Sequence, residues 1–284
     1  MRYCARAFSR KDIERIRKII AADGKRSRSQ IARMVCEELK WRKPDGGLKD
    51  MSCKVALIRM HRDGIIQLPA PRWDTNRSKA YTHRSARAEP SFPVNIPVHL
   101  MSDLRVELVG GKKHSSLWNE YIDRYHYLGY KRLAGAQLRY FARFEGQEVA
   151  LFGFGASAWH VEARDKFIGW TAEQRNQKRH LVVNNARFLI LPWVSSRNLA
   201  SRLLSLVSKR LPEDWHARYT YSPVLLETFV ESRFRGACYR AANWICVGQT
   251  KGRGKMDRDH NTKLPRKHIW LYPLRKDFKD ILCL

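Results

Sequence analysis

Apolar residues in the first seventy positions recur at helical spacing. Ser9 stands three residues before Asp12, a capping-box start, and Ile13, Ile16, Ile19 and Ile20 follow on one face. Gly24 is expected to close this helix. A second helix, capped by Ser27 or Ser29, carries Ile31, Met34, Val35 and Leu39 inward. Lys43-Pro44-Asp45-Gly46-Gly47 reads as a turn. A third helix runs from Leu48 or Lys49 to Arg62, with Met51, Val55, Ala56 and Ile58 as its apolar side. Asp63-Gly64 then turns into Ile65–Leu68, a short strand. Three helices and a strand outline a winged helix-turn-helix over residues 1–70.

Five prolines between 69 and 97, among basic residues and without apolar periodicity, mark 71–97 as a linker. From 98 to 284 strands and helices mix. A helix at 116–127 precedes strands at 137–144 and 148–157, joined by the hairpin turn Glu145-Gly146. Then come a helix at 171–178, a strand at 186–191 and a helix at 197–209. A strand at 224–230, a helix at 236–242 and strands at 244–247 and 269–272 complete an α+β domain.

Charge changes this picture. Of 284 residues, 55 are Lys or Arg and 27 Asp or Glu, a formal net charge of +28. Hydrophobic residues make up 44%, enough for a core and too many for global disorder. So large a like-signed charge repels itself and points to a polyanionic partner. No apolar run approaches the length of a membrane span, and no secretory signal pattern opens the chain, so a membrane partner is not expected. Six scattered cysteines without a C-x-x-C pair fit a reducing cytoplasm better than a disulfide framework or a zinc ribbon.

On the third helix Lys49, Lys54, Arg59, His61 and Arg62 form the polar face, fitted to a DNA major groove or to a partner protein's surface. Near the C-terminus, GQTKGRGK combines glycines with Lys251, Arg253 and Lys255, a loop able to grip phosphates. Duplex and single-stranded DNA are the expected partners; RNA, a homodimer and further partner proteins stay open.

From 186 onward, the strand, turn, helix, strand, short helix and strand resemble the core of the GNAT acyltransferase fold. Ser195, Asn198 and Ala200 stand where that family's phosphate-binding turn has Arg or Gln and glycines, and Tyr239 falls where it often keeps a general acid. Over most of the chain, RYHYLGY (124–130), PWVSSRNLAS, PVLLETFVE (223–231) and CYRAANWICVGQTKGRGK (238–255) resemble the DruA family. That resemblance implies a bacterial, cytoplasmic protein of the Druantia antiphage defence systems, with transposase-like relatives, that meets foreign or mobile DNA.

Glu227 is the foremost catalytic candidate, because an apolar run on both sides makes an unpaired carboxylate costly there. It is a general base or metal ligand, or else it pairs with an arginine such as Arg187 or Arg240; Arg187 also counts among the residues that would meet nucleic acid. His126, with Tyr125, Tyr127 and Tyr130 as a stacking floor, and His180 are the imidazole candidates. Asn185 would orient a phosphate or cap a turn, and Tyr239 would act as an acid or fill the core. Three functions follow: DNA binding, a nuclease or transposase using Mg²⁺ or Mn²⁺ at Glu227, and an acyltransferase. No D-x-D or D…E-x-K spacing supports the metal.

Overall fold

Two serines start two helices by the same device. Ser9 Oγ accepts from Asp12 N at 3.1 Å while Ser9 N donates to the Asp12 carboxylate at 2.9 Å. Ser27 and Gln30 repeat the exchange, so Ser27 rather than Ser29 is the cap. The structure, a computed structural model, describes residues 1–71, 83–133, 135–252 and 264–284. It divides into two units, Met1–Ala80 and Tyr81–Leu284.

In the first unit β1 (Arg2–Tyr3) and β2 (Arg6–Ala7) form a hairpin ahead of α1 (Arg10–Ala21), α2 (Arg28–Glu38) and α3 (Asp50–Arg62). Ile16, Ile31, Val35, Leu57 and Met60 fill the core between the helices. The expected apolar side of α3 holds at Ala56 and Ile58 and fails at Met51 and Val55. Cys53, Ala56, Leu57 and Met60 face inward, whereas Met51 is 68% and Val55 39% exposed. A buried thiol behaves as a small hydrophobe, and counting Cys53 as apolar completes the 53, 56, 57, 60 stripe.

Gly24 is not the cap of α1, which ends on Ala22 in a right-handed conformation. Residues 65–68 form no strand either. Ile66 and Leu68 are buried, but the main chain there is held by side chains: Leu68 N donates to His61 Nδ1 at 3.3 Å and Arg17 donates to Ile65 O at 2.7 Å. A single antiparallel bridge, Arg42 to Leu48, lies instead between α2 and α3.

The second unit starts earlier than the prolines suggest. Glu120, fully buried, accepts from Ser85 N at 2.6 Å and from Ser85 Oγ at 2.8 Å. Tyr121 and Tyr125 donate to Arg87 O and Ala88 O. Residues 83–94 thus belong to this unit, Val94 bridging to Val194.

Its elements are β3 (Arg105–Leu108), α4 (Gly111–Tyr125), β4 (Gln137–Phe144), β5 (Gln147–Ala156), α5 (Glu162–Ile168), α6 (Ala172–Lys178), β6 (Val182–Ile190) and α7 (Leu199–Tyr219). There follow β7 (Leu225–Glu231), α8 (Ala237–Ala241), β8 (Ile245–Gln249), β9 (Lys267–Pro273) and α9 (Phe278–Cys283). The domain is α+β, as expected. Glu145 and Gly146 make the β4–β5 turn, both at positive φ as a type I′ hairpin requires.

Among the described residues seven strands form one sheet in the order β3-β4-β5-β6-β7-β9-β8. Every neighbouring pair is antiparallel except β6 and β7. That parallel seam has three register pairs, Val182 with Leu225, Val183 with Leu226 and Asn184 with Glu227, and then the strands part. Side chains alternate along β7 and β9. Leu226, Val230 and Trp270 join the core packed on α7, while Leu225, Ile269 and Leu271 join the one containing Phe278 and Leu282 of α9. Among the described residues no helix is long and apolar enough to cross a membrane.

Candidate functional site

Alternation along β7 directs Glu227 to the α5 side of the sheet, where it is fully buried. Oε1 accepts from Ala158 N at 2.7 Å and Oε2 from Arg164 Nη1 at 2.8 Å. Arg164, also fully buried, passes the pairing on: its Nε donates to Asp165 Oδ1 at 2.8 Å, and Asp165 Oδ2 accepts from Arg175 at 3.2 Å. Burial opposes the Arg164 charge, but Glu227 and Asp165 outweigh it and raise the pKa of the guanidinium. The partner of Glu227 is thus Arg164, and neither Arg187 nor Arg240.

With both oxygens engaged, Glu227 has little left to offer a metal ion. Mg²⁺ and Mn²⁺ want several carboxylate or water oxygens, and among the described residues no three His, Cys, Asp or Glu side chains converge. The donor set does not fit a divalent metal.

The sheet does bring together two other sequence candidates. Arg187 pairs in register with Gly153, and a side chain at Gly153 would meet Trp118 of α4 at 3.0 Å and Arg187 Cβ at 3.2 Å. Arg187 therefore lies on the α4 face, beside His126 at the end of α4. Burial, and next the Arg187 charge, push the His126 pKa down to about 4. The imidazole is neutral near pH 7, and its Nδ1 accepts from Leu128 N at 3.2 Å, which fixes the turn after α4. Arg187 is 9% exposed, and burial lowers its pKa too. Its Nη1 donates to Ala186 O at 2.7 Å, its Nε has no partner, and among the described residues it makes no ion pair with a carboxylate.

The remaining candidates lie elsewhere. A bulge in the β5–β6 pairing places Asn185 opposite Phe154 and on the other face from Arg187. Its main-chain oxygen accepts from Thr228 Oγ1 at 3.0 Å, while the buried side-chain amide has no protein partner. Tyr239 is buried among Phe188, Trp244 and Trp270, and that burial raises its phenol pKa. His180 precedes β6, 5.1 Å from the Tyr221 ring. Tyr125 and Tyr130 pack against the core, so beside His126 stands Tyr127, with a residue not foreseen, Phe234, 5.7 Å from the Tyr127 ring.

On α3 the basic residues divide. Lys49 is the N-terminal cap residue, Lys54 donates to Ser29 Oγ at 3.0 Å, and His61 is spent on the Leu68 main chain. Arg59 is half-buried and Arg62 exposed, so the outer face carries Met51, Val55 and Arg62 with Lys54 and Arg59 at its flanks. Lys251 is exposed and ion-paired with Glu162; Arg253 and Lys255 lie outside the described residues.

The residues missed by sequence reasoning are Arg164, Arg233 and Phe234. A carboxylate in a two-sided apolar strand announces that a cation is needed, yet no spacing rule says which of many arginines supplies it.

Residues 59–261 match the family model described as Druantia protein DruA. The chain belongs to the DruA family, and membership implies a place in Druantia antiphage defence. No curated protein matches it. Among solved structures, the aminoglycoside acetyltransferase AAC(6')-Ib in complex with coenzyme A is similar at a TM-score of 0.38 and 13% identity, over 62% of this chain and 98% of that one. An acetyltransferase of Bacillus subtilis in complex with CoA gives 0.37 and 8%, over 61% and 99%. An N-acetyltransferase from Staphylococcus aureus Mu50 gives 0.36 and 9%, over 60% and 97%. Likenesses this loose say nothing about coenzyme A for this chain.

Proposed function

We propose that this chain is a DNA-binding protein of bacterial antiphage defence, with its first unit acting as a helix-turn-helix-type module. The observation that carries the reading is the outer face of α3, where Met51 and Val55 stand exposed between cationic flanks in a chain of net charge +28. A helix laid in the major groove needs both kinds of side chain. Lysines and arginines meet phosphates, and apolar groups meet thymine methyls. The connection between α2 and α3, bridged by Arg42 and Leu48, replaces the short turn of simpler modules and supplies a small hairpin beside the reading helix.

In this mechanism α3 engages duplex, while Lys251 and the basic stretch of sequence after it hold backbone of the same or a displaced strand. Two grips on one polymer raise affinity through effective concentration. Each neutralised phosphate releases condensed counterions, so affinity must fall with salt.

The test is a salt titration of duplex binding by fluorescence anisotropy. If six or more phosphates are met, the slope of log affinity against log salt is about −5 or steeper. Lys54→Glu and Arg59→Glu flatten the slope by about one each. Duplex binding that is absent, or indifferent to salt, overturns the reading.

A further inference from the structure

Two segments distant in sequence meet on the second unit: the turn at 126–129 after α4, and residues 231–236 at the end of β7 and beyond it. The His126 and Tyr127 rings stack with centroids 4.8 Å apart and 21° between planes. The Arg233 guanidinium lies 4.6 Å from the Tyr127 ring centroid and 4.8 Å from that of Phe234. Glu231 pairs with Arg233 at 3.0 Å and holds it over the rings. Yet Tyr127 remains 49% and Phe234 45% exposed. Large planar groups are layered here and left half in water.

Arg187 is the second, independent observation. Nine-tenths buried, it carries a charge that no carboxylate among the described residues balances, and its Nε hydrogen bond is unmade. A desolvated guanidinium in that state is costly, and an entering anion relieves the cost. It lies within electrostatic reach of both His126 and Tyr127. The neighbouring His126 is held neutral, so it adds no competing cation beside the stack. Arg235 is exposed next to Phe234.

We infer that this place binds one unpaired nucleotide of single-stranded DNA, the base against Tyr127 and Phe234 and its phosphate toward Arg187. Base on aromatic ring plus phosphate on guanidinium is how sequence-tolerant single-strand sites work, since every base has a π-face. The inference rests on the nucleic-acid reading above and deepens it: the second unit takes a strand that has left its duplex.

The experiment measures anisotropy of the full chain with labelled oligothymidylate of about 20 nucleotides, longer than one such site, and separately with duplex. Tyr127→Ala and Phe234→Ala each weaken single-strand binding about five- to hundredfold and leave duplex binding within about twofold. Both residues are exposed, so neither variant threatens the fold. Arg187→Gln flattens the single-strand salt slope by about 0.7, and Arg187→Lys restores it. Unchanged single-strand affinity in both aromatic variants overturns the inference, as does equal weakening of the two strand forms. Wild-type chain that binds duplex but not the single strand overturns it and leaves the preceding proposal standing. Failure to bind either form removes both.

Discussion

Glu227 and Arg164 meet at 2.8 Å with neither side chain exposed to solvent. They come from β7 and α5, and the main chain of Ala158 completes the contact by donating to Glu227 and accepting from Arg164. A carboxylate so enclosed is a fixture of the fold. Both of its oxygens are already engaged.

Breaking this pair from one side leaves a lone charge in the interior. Arg164→Met is expected to cost the second unit about 3–5 kcal/mol, read from urea unfolding followed by tryptophan fluorescence. Adding Glu227→Leu recovers part of the loss, because the stranded charge is then gone. A cost below about 1 kcal/mol for Arg164→Met contradicts the assignment.

The phase of α3 makes a contrast between stability and binding. Leu57→Ala is expected to cost about 2–5 kcal/mol, since it opens a cavity in the first unit's core. Met51→Ala and Val55→Ala stay within about 0.5 kcal/mol of wild type in thermal melts. They nonetheless weaken duplex binding when α3 is the reading helix. Weakened folding without weakened binding reverses the assignment of the two faces.

His126 gives a signed pH dependence. Its pKa is about 4 in the folded chain and near 6.5 when unfolded. Between those values the unfolded chain binds a proton that the folded chain refuses, so stability falls as pH drops from about 6.5 toward 4. Above about 6.5 the residue contributes no slope. Melting temperatures of wild type and His126→Gln, compared at neutral pH and near pH 5, should differ in this direction, with the variant losing less.

Gly236 precedes α8 at φ +64°, and a Cβ there would meet the Trp270 ring at 2.7–2.9 Å. Both left-handed backbone and indole oppose a side chain. Gly236→Ala is expected to lower stability by about 2 kcal/mol or more in chemical unfolding, whereas the exposed Arg235→Ala changes it by less than about 0.5 kcal/mol.

Local chemistry was readable where a few neighbouring residues decide the outcome. Ser9 with Asp12 and Glu145 with Gly146 announce a cap and a hairpin by themselves, whereas Ser27 and Ser29 are separated only by the structure, where Gln30 pairs with Ser27. The phase of α3 was not, because Cys53 takes its apolar character from burial. The expected strand at 65–68 failed for want of a partner, its main chain being served by Arg17 and His61. The short β3, α5 and α9 carry too few periods to stand out. At the site, Tyr127 was visible in an aromatic string, but Phe234 sits between two arginines and becomes significant only when the fold lays it beside Tyr127. Arg164 is legible only in three dimensions, since Glu227 lies 63 residues away.

The three-pair seam between β6 and β7 has a further consequence. With so few main-chain bonds across it, the two halves of the sheet are joined by side chains: Thr228 on Asn185 O, Glu227 on Ala158 N, and apolar packing in which Leu226, Val230 and Trp270 gather under α7. Apolar cohesion weakens as water is cooled, whereas the antiparallel ladders on either side depend on it less. The apolar share of the cohesion at this midline is accordingly the part expected to weaken on cooling.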